Sequence, residues 1–142
     1  MQLALDEAKA AAQKGEVCVG AVLFLGGEAV GRGHNLTRTD QDPTAHAEML
    51  AIRAAAESLQ SWRLEGATIY VTLEPCAMCA GALVLARVSR LVFGAKDPKS
   101  GACGSLRNVV KDRRLNHRLE VRSGVLERPC SEMLKAFFKD QR

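Results

Sequence analysis

The sequence predicts an α/β fold with a mixed central β-sheet packed between helices. Two observations predict it: a hairpin of apolar strands near the N-terminus, and a regular alternation of strand-like and helix-like segments after it. A third observation is size. The chain has 142 residues, and this length predicts a single domain over residues 1–142. With 47% apolar and 25% charged residues, the composition is that of a folded globular protein and excludes a largely disordered chain.

The first third of the chain predicts a helix and then a hairpin. Residues 2–14 are Ala-rich with apolar residues at helical spacing, and Gly15 follows their end. Residues 18–25 form a continuous apolar run, Gly26-Gly27 is a two-residue turn, and residues 28–33 return as the second strand. This hairpin makes part of the sheet antiparallel.

The next helix is predicted to open at Asp42-Pro43-Thr44. Either the first or the third residue of this tripeptide can cap a helix, and proline suits the first helical position. The helix is expected to run through His46 and Glu48 to about residue 58. His46 then lies in its first turn.

The rest of the chain continues the alternation, which brings the expected number of strands to about five. The predicted elements are a buried strand at 67–73, a helix at 76–86, a strand at 88–93, a loop at 96–105, a strand at 118–124 and a terminal helix at 129–139.

The charge is unevenly distributed along the chain. Residues 1–86 contain six Lys/Arg and ten Asp/Glu, a net −4, whereas residues 87–142 contain fourteen and six, a net +8. The densest basic stretch lies at 107–122. Such asymmetry favours a polyanionic partner such as RNA or DNA, although a solvated charged face is the simpler interpretation. With one Trp, one Tyr and four Phe, an extended base-stacking platform is not expected.

Neither a secretory signal nor a membrane segment is predicted. The N-terminal residues carry acids early and lack a basic region, and no apolar run approaches the ~18–20 residues that a bilayer requires. Five cysteines are an odd number in such a chain, so metal ligands or free thiols are favoured over disulfides. We therefore expect a cytoplasmic protein without membrane contact.

Three segments indicate a catalytic zinc site. Cys76-x-x-Cys79 begins a helix after a strand, where the helix dipole favours thiolates, and His46 lies at the start of another helix. Two Cys and one His give Zn²⁺ three protein ligands and leave the fourth position open, as in catalytic zinc sites. Glu48, two residues from His46, is placed to move protons.

Other interpretations of the Cys-x-x-Cys pair are a redox pair or half of a structural zinc site. A structural site needs a fourth ligand, and none of the candidates forms a second close pair with another. The candidates are Cys18, Cys103, Cys130, His34 and His117. A redox pair would not require the His-x-Glu thirty residues upstream. The three other cysteines are therefore expected to be small buried hydrophobic residues.

Longer segments resemble the bacterial tRNA-specific adenosine deaminases over essentially the whole chain. These segments are GEVCVGAV, DPTAHAEMLAIRAA, YVTLEPCAMCAGAL, ARVSRLVFGAKDPKSGACGSL and LKAFFKDQR. The zinc motifs alone fit any cytidine-deaminase-like enzyme. The DPTAHAE helix start, the GAKDPKSGACGS loop and the basic tail containing two phenylalanines narrow the resemblance to this family.

The resemblance implies a three-layer cytidine-deaminase-like fold and conversion of the wobble adenosine of an arginine tRNA anticodon to inosine. It implies one Zn²⁺ per subunit held by His46, Cys76 and Cys79, with Glu48 as the proton shuttle. The implied partners are a tRNA anticodon stem-loop and a second copy of the chain in a homodimer.

The resemblance also implies which residues bind the RNA. Asn35 would hydrogen-bond the flipped base, with Val17 and Ala47 lining its pocket. Asp97 and Lys99 would lie beside flanking nucleotides, and Phe138 and Arg142 would belong to an RNA-facing tail. The chain departs from the family at Cys18, where proline is usual, and at Cys103, where a small residue such as alanine is usual.

Two other functions compete with this one. The first is deamination of a free base or nucleoside such as guanine or cytosine, which would need neither the basic half nor the tail. The second is a non-catalytic RNA-binding module stabilised by zinc, which would need a fourth protein ligand in place of the open position.

Overall fold

The computed structural model describes residues 1–141, so the predicted site residue Arg142 lies outside the described part of the chain. The elements are α1 (Gln2–Gln13), β1 (Gly20–Leu25), β2 (Glu28–His34), α2 (Ala47–Leu59), β3 (Thr68–Leu73), α3 (Ala77–Leu85), β4 (Arg90–Ala95), a 3₁₀ turn (Val109–Lys111), β5 (Glu120–Arg122) and α4 (Glu127–Asp140). Among these residues, no helix has both the length and the apolar character needed to cross a membrane.

The five strands form one mixed sheet in the order β2-β1-β3-β4-β5, which confirms the predicted fold class. β1 is antiparallel to both β2 and β3, whereas β3, β4 and β5 are parallel. The main core, with Ala51, Leu23 and Leu83, fills the space between the sheet and helices α2 and α3. On the other face, α1 and α4 share a smaller apolar cluster with Ala8 and Phe137. The molecule therefore has three layers.

The hairpin turn matches the prediction because its two glycines take backbone angles that other residues avoid. Gly26 has φ 59° and Gly27 has φ 82°, as expected for a two-residue turn that follows the right-handed twist of the strands. Leu25 and Glu28 are paired directly on either side of it.

The start of α2 differs from the prediction. The Asp42 carboxylate accepts hydrogen bonds from the Thr44 amide at 2.8 Å and the Thr44 hydroxyl at 2.7 Å, which closes a local turn before the helix. The helix begins only at Ala47, and His46 is its N-cap residue with φ −79° and ψ 153°. The predictions that 42–44 caps the helix and that His46 lies in its first turn are therefore wrong.

Other bounds differ by a few residues. β1 begins at Gly20 and not at residue 18, and β4 (Arg90–Ala95) is two residues later than predicted. β5 is shorter than predicted, with only three residues (Glu120–Arg122). α4 begins before Pro129 because a proline is tolerated in the first turn, where its missing N–H has no helical partner.

Gly33 controls how closely α2 approaches the sheet. A Cβ at this position would lie 2.8 Å from the Ala51 nitrogen and as close to Leu50 Cβ, so the substitution would push the helix that carries Glu48 away from β2. We expect Gly33→Ala to lower the free energy of unfolding by about 2 kcal/mol and to reduce metal uptake. Thermal unfolding and metal analysis of the purified variant measure both effects.

Gly81 in α3 is the matched control for this substitution. An added Cβ there meets no heavy atom within 4 Å, and alanine favours a helix interior over glycine by about 0.5–1 kcal/mol. Gly81→Ala should therefore keep or raise the unfolding temperature. Equal destabilisation by the two substitutions would contradict the role given to Gly33.

Candidate active site

Three side chains that can bind a metal meet where two helices begin. His46 is the N-cap residue of α2, Cys76 is the N-cap residue of α3, and Cys79 lies in the first turn of α3. His46 Nδ1 lies 3.6 Å from the Sγ atoms of both Cys76 and Cys79. All three ligand atoms lie within 4.8 Å of one another.

This arrangement fits a tetrahedral zinc ion. Zinc–sulfur and zinc–nitrogen bonds of ~2.3 and ~2.0 Å at the tetrahedral angle place nitrogen and sulfur about 3.5 Å apart, which matches the observed 3.6 Å separations. Among residues 1–141, no other His, Cys, Asp or Glu joins the group. The three residues together could therefore hold a metal ion with one position left for a non-protein ligand.

Hydrogen bonds within the group already favour a thiolate. Those from Cys79 and His46 lower the pKa of the Cys76 thiol to about 4. The hydrogen bond with Cys76, together with burial, raises the pKa of Cys79, and the same neighbour raises the pKa of His46. A bound cation would favour both thiolates and the neutral imidazole, since these are the forms that bind metals.

Glu48 adds a buried carboxyl group beside the three ligands. The residue is only 3% exposed, and burial raises the pKa of its carboxyl group to about 7. Its Oε1 atom is buried without a hydrogen-bond partner among the described residues. A buried oxygen of this kind calls for a ligand or water partner, and a pKa near neutrality suits a group that both takes and gives protons.

A cavity of about 760 Å³ opens onto this group. Glu48, His46 and Cys76 form part of its wall. Of the residues that the sequence predicts to bind the substrate, five also lie on the wall, namely Val17, Asn35, Asp97, Lys99 and Phe138. The cavity therefore brings together residues from segments that lie far apart in the sequence.

Ala47 differs from its predicted position. Its side chain is fully buried in the core and is not part of the cavity wall, so the prediction that it lines the pocket does not match the structure. Its backbone N–H instead donates a 2.8 Å hydrogen bond to Asn35 Oδ1. This bond satisfies one of the free amides at the start of α2 and fixes the Asn35 side chain at the cavity.

Several wall residues are missed by sequence reasoning. They are Val19, Leu73, Glu74, Ser100, Leu134 and Gln141. The apolar members resemble core positions in sequence, and Glu74 falls between the predicted strand at 67–73 and the predicted helix at 76–86. The one available signal is the position of Glu74, a carboxylate directly between a buried strand and the first cysteine of the pair.

Among the described residues, the other cysteines and histidines lie outside the metal-binding group. Cys18, Cys103 and Cys130 are buried free thiols, as predicted, and burial raises the pKa of each. His117 Nε2 lies 2.7 Å from the Val88 carbonyl oxygen. His34 lies between Lys14 and Glu7, 3.0 Å from the Lys14 ammonium.

Comparisons with known proteins identify the family of the chain. A model of the MafB19-like deaminase family matches residues 1–142. The tRNA-specific adenosine deaminase of Bacillus subtilis is 58% identical over 142 residues, covering 100% of this chain and 88% of that protein. The enzyme of the same name from Haemophilus influenzae is 50% identical over 143 residues, covering 100% of this chain and 83% of that protein.

Solved structures give the same result. A structure from studies of A-to-I editing by tRNA:A34 deaminases at the wobble position superposes with a TM-score of 0.91 at 47% identity, covering 94% of this chain and 96% of that chain. Guanine deaminase from Bacillus subtilis gives a TM-score of 0.64 at 35% identity, covering 67% of this chain and 61% of that chain. The chain therefore belongs to the tRNA-specific adenosine deaminases, within the MafB19-like deaminase family.

Proposed function

We propose that the protein catalyses the hydrolytic deamination of adenosine at the wobble position of a tRNA anticodon, with an arginine tRNA as the expected substrate. Water adds at C6 of adenine, the C6–N bond breaks, and the products are inosine and ammonia. The observation that carries the proposal is the buried Glu48 carboxylate, whose Oε1 has no partner among residues 1–141. It lies on the wall of a cavity that His46 and Cys76 also line.

His46, Cys76 and Cys79 would hold one Zn²⁺ per subunit. When bound, the ion supplies Lewis-acid activation of water at neutral pH. Glu48 would accept one proton of the attacking water at its carboxylate and donate it to the adenine ring nitrogen. It would then take the remaining proton of that water from the new C6 hydroxyl group and donate it to the amino group, which leaves as ammonia.

Asn35 would orient the base through its side-chain amide. Since Asn35 Oδ1 accepts the Ala47 amide, the Asn35 side-chain amide keeps its N–H groups for an acceptor on the base. Val17 supplies an apolar surface on the cavity wall. An anticodon loop suits this cavity, because an unpaired nucleotide leaves its stack at low cost.

The direct test is incubation of the zinc-loaded protein with an arginine tRNA anticodon stem-loop that carries adenosine at the wobble position. Mass spectrometry should find inosine at that position alone. Guanine, cytosine and cytidine are assayed in parallel. Ammonia from one of these, without inosine in the RNA, would overturn the RNA proposal in favour of a free-base deaminase.

Lysines near the cavity are the proposed phosphate contacts. A second cavity of about 720 Å³ adjoins the first through Asp97, Lys99 and Phe138, and its wall also contains Lys96, Lys135 and Lys139. By contrast, Arg113, Arg114 and Arg118 precede β5, whose first residue pairs with the first residue of β4. These arginines therefore lie at the opposite end of the parallel strands from the cavity.

This placement predicts a salt dependence. RNA affinity should fall steeply as the salt concentration rises. The double variant Lys135→Ala with Lys139→Ala should make the slope of log binding constant against log salt concentration shallower by about 1.4. This value corresponds to ~0.7 for each phosphate of single-stranded RNA that the protein no longer neutralises. The same measurement on Arg113→Ala with Arg118→Ala is the control and should keep the slope. Fluorescence anisotropy of a labelled stem-loop measures both. If only the arginine substitutions reduced the slope, the RNA would have to bind away from the cavity.

A homodimer and a cytoplasmic location belong to the same proposal. Three large apolar side chains that are exposed in the single chain would become buried if they lie in the dimer interface: Leu85 is 70%, Trp62 is 62% and Leu106 is 53% exposed. Burial of apolar surface stabilises association. The mass of the active species in sedimentation measures the oligomeric state.

A further inference from the structure

Glu74 is a buried carboxylate on the cavity wall that the proposed mechanism does not use. It follows β3 directly, is 2% exposed, and lines the cavity beside Cys76. A charged group buried this deeply is costly unless its oxygens are satisfied. The partners of its carboxylate therefore show what the side chain does.

All the hydrogen bonds that the described residues donate to the Glu74 carboxylate come from one loop. Glu74 Oε1 accepts the Asp97 amide at 3.1 Å and the Ser105 hydroxyl, while Oε2 accepts the amides of Cys103 and Ser105, both at 3.0 Å. Hydrogen bonds to a carboxylate are among the stronger ones in proteins. One side chain thus holds both ends of residues 97–105, named here the 97–105 loop.

Gly101 gives independent evidence that the 97–105 loop is folded tightly over Glu74. A Cβ at Gly101 would overlap the Glu74 carboxylate and lie 2.6 Å from the Asp97 carbonyl oxygen. The Gly101 amide donates to that carbonyl oxygen at 2.9 Å, and the next amide, that of Ala102, donates to Pro75 at 2.8 Å. The loop conformation therefore depends on a carboxylate at position 74 and on the lack of a side chain at 101.

The part of the loop nearest Asp97 reaches the cavity. Asp97 Oδ1 accepts the amides of Lys99 at 3.0 Å and Ser100 at 3.2 Å, and Oδ2 accepts the Ser100 hydroxyl at 2.8 Å. These three residues lie on the cavity wall. A chain of hydrogen bonds therefore links the Glu74 carboxylate to side chains on the cavity wall.

We propose that Glu74 is a positioning residue for RNA: it fixes the 97–105 loop so that Asp97 and Lys99 meet the nucleotides beside the target adenosine. This inference rests on the proposed function. Glu74 sets how well the substrate is held, whereas Glu48 carries the protons. Loss of the Glu74 carboxylate should then weaken RNA binding more than it slows the chemical step.

Glu74→Gln tests this with little change in volume. A glutamine has one carbonyl oxygen, so its NH₂ group must face either the Asp97 amide or the amides of Cys103 and Ser105. In both cases two hydrogen-bond donors face each other, and the bond between them is lost. We expect KM for the stem-loop and its Kd to rise about tenfold, with kcat within about threefold of the wild-type value. Zinc content should not change.

Glu16→Gln is the matched control. Glu16 is also fully buried, and it accepts the amides of Arg38 at 3.2 Å and Thr39 at 2.6 Å together with the Thr39 hydroxyl at 2.7 Å. Its loop partners, however, do not lie on the cavity wall. This variant should lose thermal stability but keep KM and Kd within about twofold. Equal increases in both variants would overturn the proposal, because general destabilisation would then explain them.

Ser105→Ala is a softer variant that keeps the test decisive if Glu74→Gln fails to fold. It removes only the hydroxyl partner of the carboxylate, so it should raise Kd with little change in kcat. Hydrogen exchange should show faster exchange at the amides of Asp97, Cys103 and Ser105. An unchanged Kd in this variant, despite faster exchange, would overturn the role in RNA positioning.

The proposed function and this inference fail in distinguishable ways. If the wild-type protein binds the stem-loop but forms no inosine, the proposed function is wrong, and the Kd values of the variants still decide the role of Glu74. If the wild-type protein forms inosine and Glu74→Gln keeps the wild-type KM and Kd, only the inference is wrong.

Discussion

Glu48→Ala is expected to lower the rate of inosine formation by about 10³-fold while the protein keeps its zinc. The carboxylate is buried, its pKa is raised to about 7 by that burial, and its Oε1 has no partner among residues 1–141. It is therefore the group placed to transfer protons. Single-turnover assays with saturating stem-loop, together with metal analysis, measure rate and zinc content on the same sample.

Two further variants separate proton transfer from a packing effect. Glu48→Gln keeps the size of the side chain but cannot carry the proton, so it should be about as inactive as the alanine variant. Glu57→Ala, on an exposed turn of the same helix, should keep the wild-type rate. A near-normal rate for Glu48→Gln would remove Glu48 from the proton-transfer role.

The ligand group and Glu48 could be predicted because their signals are local. His46 and Glu48 are two residues apart at a helix start, and Cys76 and Cys79 are one helical turn apart. The strand between the two motifs then leaves few ways to arrange them in an α/β fold. The structure brings the three ligands within 4.8 Å of one another, although nothing in the sequence gives this separation directly.

The role of Glu74 could not be predicted because its partners are distant in sequence. The backbone amides that donate hydrogen bonds to its carboxylate lie 23 to 31 residues further along the chain. No rule of sequence spacing connects the end of a strand with a later loop. The same limit explains Leu134, which resembles a core residue of a terminal helix but reaches the cavity wall. Long-range packing places both residues.

The prediction for the start of α2 is wrong for a different reason. Asp42 and Thr44 suit both a helix cap and a local turn, and the sequence does not distinguish these uses. In the structure they bond to each other, and the amide of Ala47 is satisfied by Asn35, which directly follows β2. A tertiary contact therefore replaces the local cap and places His46 at the helix end.

Cys76→Ala is expected to remove most of the zinc and to lower the rate by on the order of 10⁴-fold or more, since the variant lacks the ion that activates water. Cys76 is one of the three metal-binding residues, and hydrogen bonds from Cys79 and His46 lower the pKa of its thiol to about 4. Added zinc should restore little activity. Metal analysis after dialysis and the inosine assay measure the two effects together.

Cys103→Ala is the control that tests whether the fourth metal position is open. Cys103 is buried near the site, with its thiol 3.9 Å from the Pro75 carbonyl oxygen, yet it does not join the ligand group. The variant should keep full zinc content and most of its activity, because alanine fills a similar small volume. Release of zinc from Cys103→Ala as readily as from Cys76→Ala would mean that protein ligands close the site. A closed site has no position for water, so that result would favour a structural zinc over a catalytic one.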